Sequence, residues 1–218
     1  MARRPAEHEA ATRQRPRTTP YEKARRAGRD ALRDAVLQAA ADLLALEGAG
    51  ALTMRRIADH IGASTTVLYT IFDSKSGILD AMSRAGHDAL RDALEAIPAS
   101  DPPLARLAAT GTAYREIALA DPARYQLMFG NAVPGYQPSQ LARDAAKASF
   151  DALVAVVREC RKAGVLKRSA DAGFVAEILI AAAHGAVSLE LSGHFDDANL
   201  ADERFSVLCG AALAPFLA

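Results

Sequence analysis

The side chains best equipped to do chemistry sit in one short run, STTVLYTIFDSK, residues 64 to 75. Ser64, Thr65, Thr66, Tyr69 and Thr70 supply hydroxyls, Lys75 supplies a cation, and Thr53, Arg55 and Arg56 lie just upstream. Such groups donate and accept hydrogen bonds, attract anions and offer methyl groups, but they are poorly suited to bond making. No nucleophile has an adjacent base, no carboxylates pair on a helix face, and no glycine-rich loop is set to cradle phosphates. The chain is therefore not expected to be an enzyme.

A second set, Tyr114, Tyr125, Met128, Phe129, Phe150 and Phe174, could line a cavity for an apolar small molecule, with His184 as its polar contact. Taken singly, aromatics and methionine at helical spacing are more often plain core, and a histidine among alanines more often bonds a backbone carbonyl. His60, His87, His184 and His194 form no i, i+4 pair and no Glu-x-x-His arrangement, so neither a metal nor another cofactor is expected. Cys160 and Cys209 lack the spacing of a zinc cluster or redox pair, which suits a reducing cytoplasm.

The elements that must position these groups are helices. Alanine and leucine dominate, tryptophan is absent, and no alternating strand-like run of useful length appears. The expected fold is all-α. Residues 1–28, rich in Arg, Pro, Glu and Thr, lack periodic apolar positions and read as a disordered basic tail. From Asp30 a helix is marked by Leu32, Val36, Ala39, Leu43 and Leu46, ending at Gly48 and Gly50. Thr53 caps a short helix with Met54, Ile57, Ala58 and Ile61 inward, stopped by Gly62. Ser64 caps the next, which ends near Phe72, and Asp73 or Ser74 opens a longer one closed by Pro98. Further helices are expected at about 103 to 120, 122 to 130, 138 to 163, 171 to 192 and 199 to 217. These boundaries divide the helical chain into a smaller part at 29–75 and a larger one at 76–218.

Two short helices joined by a tight turn match a helix-turn-helix whose second member enters the major groove. Val67, Leu68 and Ile71 fall on its inner side, and Thr65, Thr66, Tyr69 and Thr70 form the outer stripe. Threonine hydroxyls and methyls then meet base edges, phosphates and thymine methyls, and the Tyr69 phenol meets a phosphate. Lys75 and the helix amides after Asp73 suit an anion at one edge of the groove, as Thr53, Arg55 and Arg56 do at the other. Charge agrees: residues 1–75 hold 13 basic and 9 acidic side chains, net +4, and the remainder 13 and 17, net −4. Only the amino-terminal part is set to meet a polyanion. Neither Arg, Lys, Asn nor Gln lies between Ser64 and Phe72. The strongest bidentate base contacts are thus missing from this helix, and specificity is expected from thymine methyls, water and DNA shape, aided by Arg55 or Arg56.

The stretch LTMRRIADHIGASTTVLYTIFDSKSGIL resembles the TetR family of transcriptional regulators, over roughly residues 30 to 82. The resemblance rests on a threonine opening the second helix, an Ile-Ala pair, a Gly-x-Ser turn, a Leu-Tyr pair, a phenylalanine, and a lysine shortly before a leucine. It implies DNA contacts from Thr53, Ser64, Thr65, Thr66, Tyr69, Thr70 and Lys75. Ala63 departs from a common valine, and Ile71 from a frequent histidine or aromatic. Further on, YREIALADPARYQLMF and AAAHGAVSLELSG are similar to a TetR-type regulatory domain, implying a ligand pocket and a homodimer built by the last two helices. Those helices are also apolar over more than one face, so a monomer would expose part of them. The apolar segment around 174–191 carries Glu177, His184 and Glu190 and reads as a buried helix rather than a membrane span. Together these features lead to the expectation of a cytoplasmic repressor, released from a palindromic operator by a small, largely apolar ligand. The alternative is a constitutive DNA-binding dimer with no ligand.

Overall fold

A computed structural model describes residues 19–129, 132–195 and 197–218. The described residues form helices α1 (Pro20–Glu47), α2 (Met54–His60), α3 (Thr65–Phe72), α4 (Lys75–Glu95), α5 (Pro103–Ala120), α6 (Pro122–Phe129), α7 (Gln140–Lys162), α8 (Ala172–Leu191) and α9 (Ala201–Leu213). Short 3-10 turns flank α9 at Ala198–Leu200 and Ala214–Phe216, so the single helix expected at 199 to 217 is broken at both ends. Pro215 explains the second break, because it cannot donate an amide to a continuing ladder. Among the described residues the only extended pairing is an isolated bridge between Leu166 and Leu217. The fold is all-α.

The helix expected from Asp30 begins ten residues earlier. Thr19 is its cap: the Thr19 amide donates to Glu22 Oε2 at 2.8 Å and the Glu22 amide returns to Thr19 Oγ1 at 3.2 Å. This reciprocal pair, with Pro20 at the first helical position, is a capping box. Residues 20–28 are thus helical, correcting the expectation of a tail through residue 28; residues 1–18 lie outside the described residues. Contacts divide the chain into units 1–34 and 35–218. Within the first, residues 20–31 are exposed all round.

In the second unit, α2 and α3 are too short to persist alone and are held by what they bury. Ile57 and Ala58 of α2 and Leu68 and Phe72 of α3 join a core with Val36, Ala40 and Leu43 of α1 and Ile78, Leu79 and Met82 of α4. That core continues into Ala123 and Leu127 of α6 and Val133, so packing bridges the boundary expected at residue 75. Two further cores lie carboxy-terminal, one around Val157, Cys160, Leu166 and Val175, the other around Tyr114, Tyr125, Val187 and Phe205. Arg115 ties α5 to α8 through a bidentate pair with Glu190, at 2.8 and 2.6 Å, and to α9 through Asp202 at 2.6 Å. Helix α8 is long and apolar enough to cross a membrane. It packs instead against α5, α7 and α9 and buries Val175, Ala176, Ala183 and Val187.

Candidate nucleic-acid interface and cavity

The turn between α2 and α3 depends on Gly62, whose φ of 66° lies in the left-handed region. The caps are as read from the sequence: Thr53 Oγ1 accepts from the Arg56 amide at 3.2 Å and Ser64 Oγ from the Val67 amide at 3.4 Å. A capping hydroxyl accepts with its oxygen and keeps its hydrogen for an outside acceptor such as a phosphate. Thr70 is different: its hydroxyl already donates to Thr66 O at 2.9 Å, leaving its methyl and an oxygen lone pair outward. Leu68 and Phe72 are buried, Ser64, Thr66, Tyr69 and Thr70 are exposed, and Thr65 is partly so. Tyr69 keeps 51% of its surface in water, which leaves its phenol free to reach an outside acceptor.

Helix α3 stops abruptly. Asp73 takes φ 59° and ψ −36°, and the Ser74 amide reaches back to Phe72 O at 2.6 Å, closing a γ-turn. Ser74 then caps α4 through the Gly77 amide at 3.1 Å, placing Lys75 in the first helical position with the positive end of the helix. The two upstream arginines are not equivalent. Arg56 is clamped by Glu47, with Nη2 at 2.5 and 2.7 Å from its two oxygens, whereas Arg55 makes only a 3.9 Å contact with Asp59. Arg55 is thus the freer of the two, while Arg56 would leave an exposed ion pair to reach a base or phosphate.

A cavity of about 420 Å³ lies among α4, α5, α6, α7, α8 and α9. Of the residues expected there, Tyr114, Met128, Phe129 and Phe150 line it. Tyr125 and His184 stand behind the wall: the Tyr114 and Tyr125 hydroxyls are 3.0 Å apart, and Tyr125 is 2.7 Å from His184 Nδ1. Ser188 Oγ meets the other ring nitrogen at 3.4 Å. His184 is thus bonded to side chains rather than to a carbonyl or into the cavity. Burial pushes the Tyr114 and Tyr125 phenols up and the His184 imidazole down, so all three are neutral near pH 7.

Phe174 does not belong to this set. It is 52% exposed and stacks edge-on against Phe216, with centroids 6.0 Å apart. It occupies the first turn of α8, ten residues and roughly 15 Å from His184 along the helix, so shared apolar character could not bring the two together.

The sequence reading missed His87. It lines the cavity, is buried, places Nδ1 3.1 Å from Ser149 Oγ, and meets Phe129 edge-on at 5.4 Å. Burial pushes its imidazole down to about 4, against a weaker opposing pull from Asp88. The one available signal was its place on the inward face of α4, four residues after Ser83 and three before Leu90.

Two family descriptions match separate stretches of the chain. The description "Bacterial regulatory proteins, tetR family" matches residues 36–82, and "Tetracyclin repressor-like, C-terminal domain" matches residues 107–212. A protein of unknown function from Rhodococcus sp. RHA1 is 30% identical, with a TM-score of 0.74, over 86% of this chain and 96% of that one. The TetR family regulator PfmR from Thermus thermophilus is 20% identical, with a TM-score of 0.65, over 82% and 97% of the two chains. The flavonoid-responsive regulator FrrA is 21% identical, with a TM-score of 0.61, over 85% and 96%. No curated protein matches the sequence.

Proposed function

The chain belongs to the TetR family of DNA-binding transcriptional regulators, and from that premise we propose that it is a cytoplasmic repressor, dimeric on a palindromic operator and released by a small, largely apolar ligand. The observation that carries this reading is that α4 begins at the candidate DNA face and runs into the wall of the cavity. Lys75 opens the helix and His87 lines the cavity, twelve residues and roughly 18 Å further on. Between them Asp80 accepts from the Tyr136 hydroxyl at 2.7 Å and the Ser139 amide at 3.0 Å, which pins α4 to the segment that opens α7. A ligand pressing on α4 or α7 therefore moves a rigid rod whose far end meets a phosphate, and it shifts the equilibrium by its differential affinity for the two positions.

In this reading Ser64, Thr65, Thr66, Tyr69 and Thr70 face the major groove, and Thr53, Arg55 and Lys75 flank it. Exposed apolar residues on the last two helices, among them Leu189, Val207 and Leu208, support pairing with a second copy through α8 and α9. Pairing would set two recognition helices about one DNA turn apart, ~34 Å.

Selection of bound duplexes from a random pool tests the proposal directly. Two-fold symmetric half-sites should emerge, with no guanine read by residues 64 to 70 through a bidentate contact. Asymmetric sites, or no enrichment, would remove it. Addition of effector should release the selected duplex; an affinity indifferent to every molecule that stabilises the protein would favour a constitutive binder.

A further inference from the structure

The described wall of the cavity holds no Asp, Glu, Lys or Arg. A charged occupant would lose its hydration without finding a counter-charge. Most polar groups in the wall are already engaged. Thr110 Oγ1 donates to Leu107 O at 2.6 Å, Thr112 Oγ1 contacts Ala108 O at 3.4 Å, and the Tyr114 hydroxyl belongs to the relay with Tyr125.

His87 is engaged on one side only. It is 4% exposed, and its Nδ1 faces Ser149 Oγ at 3.1 Å. The Ser149 hydrogen goes to Ala146 O at 2.9 Å, so the serine oxygen is left to accept and Nδ1 carries the ring hydrogen. Nε2 is then a lone pair to which no described residue donates. A nearly buried acceptor in a mostly hydrocarbon wall, whose other polar groups besides Ser206 and Cys209 are engaged, leaves one hydrogen bond to be completed from outside the protein.

We propose that the cavity selects a neutral, mostly hydrocarbon molecule carrying one hydrogen-bond donor, a hydroxyl or N–H, and that His87 Nε2 accepts that hydrogen. The inference rests on the reading of this chain as effector-responsive and gives that effector a chemical class. It also assigns the contact to α4 itself, so the donor is held by the helix that bears Lys75. The neutral state of the ring across the physiological range keeps the lone pair available.

Three probes of equal chain length separate the possibilities: decanol, decyl methyl ether and decanoate. Cys209 lines the cavity and is partly buried, so protection of its thiol from a maleimide reports occupancy alongside the melting temperature. Decanol should protect and stabilise with rising concentration, the ether should require at least about fivefold more for lack of a donor, and decanoate should do neither. In His87→Leu the alcohol and ether should become equal while both still bind. Ser149→Ala, which frees Nδ1 from its acceptor and unfixes the tautomer, should also narrow the preference and serves if the first variant does not fold. Equal binding of ether or decanoate by the native protein, binding of none of the three, or a preference surviving both substitutions would overturn the inference. Operator affinity is read separately by anisotropy of labelled DNA. Decanol bound with the stated preference but without effect on DNA would leave the ligand class standing and remove the effector reading.

Discussion

His87 shows how burial alone sets the chemistry of a residue. Its folded value of about 4 lies below the ordinary 6.5, so between these pH values the unfolded chain takes up a proton that the native ring refuses. Stability is untouched above pH 6.5 and falls as the pH drops towards 4, with His184 shifted in the same direction. Urea unfolding at pH 5 should therefore give about 2 kcal/mol less stability than at pH 7. In His87→Leu that difference should shrink. At the other end of α4, Lys75→Ala should weaken binding to all DNA sequences alike and reduce the salt slope by about one, as measured by titrations at several salt concentrations. Thr66→Ala should instead alter which sequences are preferred, because its side chain is exposed and, in the proposed function, offers a methyl and a hydroxyl to the groove.

Among the elements, the joint between α3 and α4 leaves no room for a side chain at Gly77. A Cβ built on Gly77 would stand 1.9 Å from Phe72 O, a backbone atom that cannot swing away. The γ-turn at Asp73 brings that carbonyl over the first turn of α4, and only a residue without a side chain passes beneath it. Gly77→Ala should therefore lower stability by roughly 2 to 3 kcal/mol in denaturant unfolding, despite the higher helix propensity of alanine. Gly28, in the exposed first half of α1, has nothing within 4 Å of such a Cβ. Gly28→Ala should accordingly raise helix content by circular dichroism, worth about 1 kcal/mol locally. The same substitution thus has opposite signs at the two sites, and the neighbouring carbonyl is the difference.

For the whole molecule, the proposed function requires a second copy covering the exposed apolar residues of α8 and α9. Val207, 61% exposed, projects from α9 beside the partly exposed Leu208. Val207→Glu would place a charge in the proposed contact, where it loses water without gaining a partner. Sedimentation should show a monomer at concentrations where the native chain is dimeric, and affinity for a full operator should fall at least about tenfold while single half-site binding survives. A dimer that persists would move the interface elsewhere.

Much of this was legible before any coordinates. The caps Thr53 and Ser64, the turn at Gly62 and the alternation of inner Leu68 and outer Thr66 and Tyr69 are local features, set by backbone hydrogen bonds and helical period within a few residues, while the choice between Asp73 and Ser74 as the next cap fell to the structure. The start of α1 was missed: Thr19, Pro20 and Glu22 write a capping box, which the arginine-rich stretch around it obscured. What the sequence by itself determined is therefore the order of the helices and the face that α3 turns outward. Only the tertiary structure decided which buried side chains border empty space. Tyr114 and Phe129 reach the cavity, Tyr125 and His184 stand behind it, Phe174 lies outside it and His87 enters it. Helical spacing tells which way a side chain leaves its own axis, but a cavity is bounded by several axes whose crossings depend on packing between residues far apart in the chain.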